Sequence, residues 1–363
     1  MKVAFALLGA FCILHTLDAA DFRLDKQKVK LSLEYESFVD SFGNEVITPG
    51  VKGTYLIKGK AALPGSSILN FEYQTGLKAN LHTSFDSGEL APFQWSNRLN
   101  SSLTIPFGKF YTGGSFFLRN KWVSEIDRNQ FIDVFGGLGY RDVQGSIFAG
   151  VFPAPDWELN VSLHASDVNF EEFRTSDSSG SGISFRVSRR FSGFKMNVDY
   201  RIQKTEYNRP VFVSIDGTSF FPVSSGSFIP QQDDFQAGGF LIEFLRPFYF
   251  SGGYSYQIND SNNPGFSYRN HKISFLIGTD LGSDFHLQAY GIAQRQNFEE
   301  SGPLPLPVFL EDTDYDTVAV SLIRTLSEST EMEFGAQRLI HNSSFEELDA
   351  SKFIVFAALN YRF

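Results

Sequence analysis

The stretch Leu69-Asn70-Phe71-Glu72-Tyr73-Gln74-Thr75-Gly76-Leu77-Lys78-Ala79-Asn80-Leu81 alternates with period two. Leu69, Phe71, Tyr73, Thr75, Leu77, Ala79 and Leu81 form one set, and Asn70, Glu72, Gln74, Lys78 and Asn80 form the other. Successive side chains of an extended strand point to opposite faces, so the stretch reads as a strand between an apolar and a polar environment. Helical spacing would mix the two sets. The pattern recurs along the chain. Phe194, Met196, Val198, Tyr200 and Ile202 oppose Lys195, Asn197, Asp199, Arg201 and Gln203. Ile183, Phe185 and Val187 oppose Ser184, Arg186, Ser188 and Arg190, and Trp157, Leu159, Val161 and Leu163 oppose Glu158, Asn160, Ser162 and His164.

Working outward from these segments gives seventeen candidate strands, near 28–39, 50–61, 68–81, 93–106, 109–123, 131–141, 143–152, 157–167, 182–191, 194–205, 235–246, 248–259, 271–280, 284–296, 316–326, 329–340 and 352–363. Tight turns join several pairs, at Ser192-Gly193, Arg246-Pro247, Asp280 to Ser283 and Ser327 to Ser329. Long polar loops separate the pairs, at 168–181, 206–234, 260–270, 297–315 and 341–351. Short turns at one end and long loops at the other are the habit of a transmembrane barrel. The expectation is therefore an all-β chain, a transmembrane antiparallel up-and-down β-barrel of about sixteen strands (range 14–18). Both termini at the short-turn end demand an even count, so one of the seventeen is superfluous, and the Gly-rich run from Phe131 to Phe152 is where it is expected.

Alternation does not say which face is wet. Three features place the apolar face outside. Most segments run ten to thirteen residues, close to the ~9–11 that a tilted strand needs to cross hydrocarbon and longer than the ~5–6 usual in soluble proteins. A closed sheet of about sixteen strands is too wide for side chains to fill with an apolar core. The polar face also carries full charges, which suit a solvated lumen.

Composition fits this reading. The chain has 363 residues, 31 Lys plus Arg against 41 Asp plus Glu, a net charge of −10, 40 Phe and one Cys. The acidic balance removes the footprint of a nucleic-acid binder, which needs an excess of Lys and Arg to neutralise phosphates. One Cys excludes a disulfide framework and a thiolate zinc site. The many Phe become a lipid-facing coat, and Tyr35, Tyr55, Trp157, Tyr200, Tyr249, Tyr256 and Tyr361 are candidates for the interfacial aromatic girdles. Residues 1–20 read as a secretory signal, with Lys2, an apolar run from Val3 to Leu17 and small residues at Ala19-Ala20. That leaves 21–363 as a single barrel domain.

The last strand, Phe353-Ile354-Val355-Phe356-Ala357-Ala358-Leu359-Asn360-Tyr361-Arg362-Phe363, is apolar at every second position counted back from its terminal aromatic. It resembles the terminal strand of Gram-negative outer-membrane proteins, whose final aromatic and alternating hydrophobics are recognised by the barrel-assembly machinery. The resemblance implies a bacterial outer-membrane location, with Phe363, Tyr361 and Leu359 as the assembly signal and outer-membrane lipid and that machinery as partners. Residues 271–363 are similar to the closing hairpins of β-barrel porin families of uncharacterised role, through His271-Lys272-Ile273-Ser274-Phe275, Val318-Ala319-Val320-Ser321-Leu322, Glu333-Phe334-Gly335-Ala336-Gln337-Arg338 and the final strand. The acidic third-loop signature of trimeric general porins is missing, which leaves the oligomeric state open.

Candidate chemistry follows from the polar face. Arg186, Arg190, Lys195 and Arg201 against Asp199 suggest a local anion-attracting patch in a pore, with Glu72, Lys78, Glu331 and Glu333 also facing the lumen. Glu34, Glu72, Glu158, Glu243, Glu331 and Glu333 are the acids that would neutralise it. His82, His164, His271, His286 and His341 follow the signal, and nothing in their spacing pairs one with a nucleophilic Ser and an orienting acid. The expectation is no enzyme and no cofactor. Asp312, Asp314 and Asp316 alternate as Ca²⁺ ligands do, but Thr317 stands where a Gly is needed and Ile323 where a bidentate Glu is needed. The acidic loop of 297–316 remains a candidate for bridging divalent cations to anionic lipid. The loop of 206–234, with Phe212, Phe220, Phe221 and Phe228, is apolar enough to fold inward as a constriction or to pack on a partner. The leading function is passive diffusion of small hydrophilic solutes or ions. The alternative is a non-enzymatic outer-membrane port or structural barrel, for example one for polysaccharide export.

Overall fold

The structure, a computed structural model, describes residues 21–39, 45–80, 93–123, 139–171, 174–214, 226–246, 248–263, 266–299, 316–341 and 350–363. Sixteen strands follow in order: β1 Asp21–Val39, β2 Glu45–Leu63, β3 Ser67–Asn80, β4 Phe93–Phe107, β5 Phe110–Val123, β6 Tyr140–Val151, β7 Trp157–Phe170, β8 Ser178–Arg190, β9 Phe194–Ser214, β10 Gly226–Phe244, β11 Tyr249–Ser261, β12 Tyr268–Asp280, β13 Phe285–Phe298, β14 Asp316–Thr325, β15 Thr330–His341 and β16 Ala350–Arg362. Each pairs with its sequence neighbours, and β1 pairs antiparallel with β16 from Lys28↔Arg362 to Phe38↔Lys352, so the sheet closes on itself. Closure removes the unpaired backbone edge that hydrocarbon would leave without hydrogen bonds.

The even-to-odd connections are all short turns, such as the Pro64–Ser66 turn after β2, and they lie at one rim. The odd-to-even connections lie at the other. The sixteen-strand count corrects the seventeen read from the sequence at the expected place. Residues 140–151 form the single strand β6, and 131–138, where a separate strand was expected, lie outside the described residues. A second correction concerns the apolar loop of 206–234. Most of it is barrel wall, because the β9–β10 ladder continues past a register shift at Pro230/Gln231 up to Gly226↔Ser214. It does not read as strand because Pro210 and Pro230 interrupt it and the ladder shifts register beside them, which breaks the period-two pattern. Its tip at 215–225, with Phe220 and Phe221, lies outside the described residues, as do residues 1–20.

The distribution of side chains is inverted relative to a soluble protein. Among the described residues, the largest fully buried side chains are Gln231, Asn360, Thr317 and Asp142, at 0–1% exposure, whereas Leu33 and Ile147 are each 64% exposed. A soluble fold buries aliphatics and leaves amides and carboxylates out. Sixteen strands about 4.8 Å apart and tilted by ~40° enclose a backbone radius of roughly 16 Å, which side chains from the wall do not span. The core of this molecule is therefore a polar lining, and its apolar residues form the outer coat.

Candidate functional site

Geometry identifies the inner face independently of hydropathy. Strands two apart are separated by about 9.6 Å, and on the convex side of a barrel their side chains diverge. Only on the concave side do they meet. Contacts that skip a strand run from Lys78 on β3 to Glu36 on β1, from Lys30 on β1 to Glu333 on β15 (2.8 Å), from Tyr111 on β5 to Glu158 on β7 (2.6 Å), from Arg201 on β9 to His164 on β7 (3.2 Å) and from Gln337 on β15 to Tyr290 on β13 (3.1 Å). All of these groups are therefore on the inner face. Cross-strand register then carries the assignment to Arg186 (opposite Asp199), Arg190 (opposite Lys195), Lys195 (opposite Glu243), Glu72 (opposite Lys58) and Glu331 (opposite Asn360). Each of the nine candidate lumen residues has inner-face parity.

Two of the crossings use a gap that glycine leaves. A Cβ on Gly150 of β6 would stand 2.2 Å from the Tyr111 ring, and one on Gly182 of β8 would stand 2.6 Å from the His164 ring. With no side chain in the way, Tyr111 lies across β6, donates to Glu158 and accepts from Asn160 Nδ2 at 2.9 Å. His164 lies across β8 in the same manner and accepts from Arg201 Nε.

The structure splits the inner charges between two walls. Around the seam where β16 meets β1, acids and bases are paired. Glu36 lies between Lys352 (3.0 Å) and Lys78, Glu34 faces Lys52 and Lys78 at 3.6 Å each, Glu333 faces Lys30, Glu331 faces Lys28 (3.7 Å) and Arg362, and Glu72 faces Lys58. These carboxylates thus neutralise lysines of their own wall and not the arginines of β8 and β9. Sequence reading missed Lys28, Lys30, Glu36, Lys52 and Lys352 as partners, because they belong to strands at opposite ends of the chain. Near β5–β7 the sequence also hid Arg119, which meets Asp142 at 3.7 Å, and Arg98, stacked over Phe117 with its guanidinium 5.2 Å from the ring centroid.

On the β7–β9 wall, Ser162 and Ser184 share a hydrogen bond of 2.7 Å, and Arg201 bonds His164 and Gln203. His286 of β13 bonds Asp280 at 2.9 Å. Of the cation-binding candidates, Asp312 and Asp314 lie outside the described residues, and Asp316 accepts the backbone N–H of Gln294 at 2.6 Å. Among the described residues no group of three His, Cys, Asp or Glu is arranged to hold a metal.

The outer face carries the aromatics. Leu359, Tyr361 and Phe363 are exposed there, and the Phe363 N–H bonds Gln27 O at 3.2 Å across the seam. Tyr35 and Tyr200 are exposed, and Trp157 lies under the Arg189 guanidinium, 4.7 Å from its ring centroid. Tyr249 departs from the expected girdle. It pairs with Gly278 and has the inner parity of Ser251.

Solved structures share this architecture. OprB of Pseudomonas putida aligns with a TM-score of 0.54 at 10% identity, over 96% of this chain and 96% of that one. The chain has the fold of the outer-membrane β-barrel channels. A loop L8 deletion mutant of OmpT, an outer-membrane protein of Vibrio cholerae, aligns at 12% identity over 95% of this chain and 100% of that one with a TM-score of 0.47. The toluene transporter TodX of P. putida aligns at 11% identity over 93% and 90% with a TM-score of 0.38. No family model and no curated protein matches the chain. At these identities the likeness is one of architecture, so what passes through the barrel has to be argued from its own lining.

Proposed function

We propose that the protein is a non-enzymatic pore of the bacterial outer membrane, through which small hydrophilic solutes and ions diffuse passively. The observation that carries this reading is the inversion of the barrel. Charged and amide side chains line a wall of roughly 16 Å backbone radius, while Leu31, Leu33, Ile147, Ile273 and Val318 are exposed on the other side. An apolar exterior of this extent suits hydrocarbon, and a polar interior suits water. By the same habit the short-turn rim and both termini face the periplasm, with outer-membrane lipid around the barrel and the assembly machinery reading the Phe363 end.

The test is single-channel recording of the purified protein in planar bilayers. Stepwise conductance that scales with salt concentration supports a pore. A barrel that inserts and stays silent overturns it in favour of a structural barrel, or an export port closed by its long loops.

A further inference from the structure

The ring order places β9 eight strands from β1 in either direction, so the two charged walls face each other across the lumen. They differ in kind. Every seam-wall cation named above is held by a carboxylate. On the facing wall, Arg186 of β8 stands opposite Asp199 and Lys195 of β9 opposite Glu243, with Arg190 and Arg201 beside them, yet among the described residues none of these four cations lies within ion-pair distance of a carboxylate. The flanking acids are otherwise engaged, Glu158 by Tyr111 and Glu243 by Asn197 Nδ2 (3.4 Å). Arg201 has neutral partners, His164 and Gln203, and Arg186 and Arg201 are both exposed on the lumen side.

From this asymmetry we propose that the β8–β9 wall is a binding track for small solutes carrying a carboxylate or phosphate group, running from mid-barrel at Arg201, past Arg186, to Arg190 and Lys195 at the short-turn rim. The proposal rests on the pore reading and names its solute class. Two features favour oxyanions. A guanidinium presents parallel N–H donors that match the paired oxygens of carboxylate and phosphate, and Arg201, which gives Nε and Nη2 to neutral partners, keeps its positive charge uncompensated by an ion pair. The Ser162–Ser184 hydroxyl pair lies beside Arg201, which is directly opposite Ser184, and adds neutral donors. Spacing suits stepwise transfer. Arg190 and Lys195 pair at the rim, Arg186 lies four positions further up β8 and Arg201 opposite Ser184 two positions beyond it, six steps or about 20 Å along the wall in all, so an anion leaving one cation comes under the influence of the next. Weak sites in series allow passage where one tight site would retain the solute.

Two measurements separate this idea from the pore reading. In bilayers under a KCl gradient, the reversal potential should show chloride preferred over potassium by about threefold, and inorganic phosphate or citrate should reduce the chloride current at millimolar concentration. The variant Arg186→Gln/Arg190→Gln/Arg201→Gln should bring the permeability ratio to one or below and abolish phosphate block, while Lys52→Gln on the seam wall should leave the preference in place. Independently, titration calorimetry of the detergent-solubilised wild type with inorganic phosphate should show saturable binding. A conducting barrel with equal permeabilities and no phosphate block overturns the track and leaves the pore. A silent barrel that still binds phosphate overturns the pore and leaves the track as a binding surface. If wild type neither prefers anions nor binds phosphate, the track is wrong whatever the variant does.

Discussion

At the scale of single residues, burial of charge in this molecule depends on reciprocity. Glu36 is 5% exposed and Lys352 7%, and the one carboxylate is shared by Lys352 and Lys78. Removing the acid takes from the buried Lys352 its carboxylate at 3.0 Å, while Lys78 keeps Glu34 at 3.6 Å, and breaking a buried pair from one side is strongly destabilising. Glu36→Gln should therefore lower unfolding stability in detergent micelles by about 3 kcal/mol, whereas Glu72→Gln, with its more exposed Lys58 partner, should cost less than ~1 kcal/mol. Equal losses by urea titration would argue against a burial-dependent ledger of charge. Gly150 supplies a second case. A methyl group there would stand 2.2 Å from the Tyr111 ring and force it off Glu158 and Asn160. Gly150→Ala should destabilise by about 1–3 kcal/mol, and it should cost little in a Tyr111→Ala background, where the ring that the methyl group displaces and its hydrogen bonds are already gone. Nothing in the local sequence marks Gly150 as a crossing point. Its role is set by a ring that arrives from another strand.

At the scale of elements, each strand is a divider between two solvents, so adjacent positions should tolerate change very differently. Near the middle of β14, Val320 is 45% exposed on the outer face, and Ala319 stands between Tyr290 and Gln337 on the inner one. An arginine at Val320 enters hydrocarbon and should cost about 2–4 kcal/mol. An arginine at Ala319 meets the polar lumen and should cost far less. Folding equilibria of both variants into vesicles check this, and similar penalties would mean that the inner face is not wet. Strand identity and facing were legible in the sequence wherever the strand crosses hydrocarbon, because period two is imposed there by two unlike media. They were not legible in the upper parts of β9 and β10. There the facing Pro210 and Pro230 and the register shift beside them break the period-two pattern from which a strand is read.

At the scale of the whole molecule, the decisive feature is closure. The first and last strands, more than three hundred residues apart in sequence, share eleven register pairs that include Leu31↔Leu359. Adjacent antiparallel residues have Cα atoms about 4.5–5.5 Å apart, within the range of a disulfide. Leu31→Cys/Leu359→Cys should therefore oxidise to an intramolecular disulfide in the folded barrel. The product should migrate on denaturing gels as a species distinct from its reduced form and from either single variant. Failure to cross-link under conditions that oxidise a Gln74→Cys/Arg98→Cys control pair on β3 and β4 would contradict the sixteen-strand closure.

The sequence by itself determined that this chain is made of membrane-length strands with one apolar and one charged face, that the apolar face looks outward, and that the strands number about sixteen. Those properties are local or additive, fixed by the medium each residue meets. Which charges neutralise one another was decided only by the tertiary structure. Glu36 finds Lys352, and Lys30 finds Glu333, because the sheet bends round until its ends meet, while Arg186, Arg190, Lys195 and Arg201 are carried to the facing wall, where among the described residues none of them closes an ion pair. Pairing on a concave surface depends on curvature and register, and neither is written in the spacing of residues along one strand.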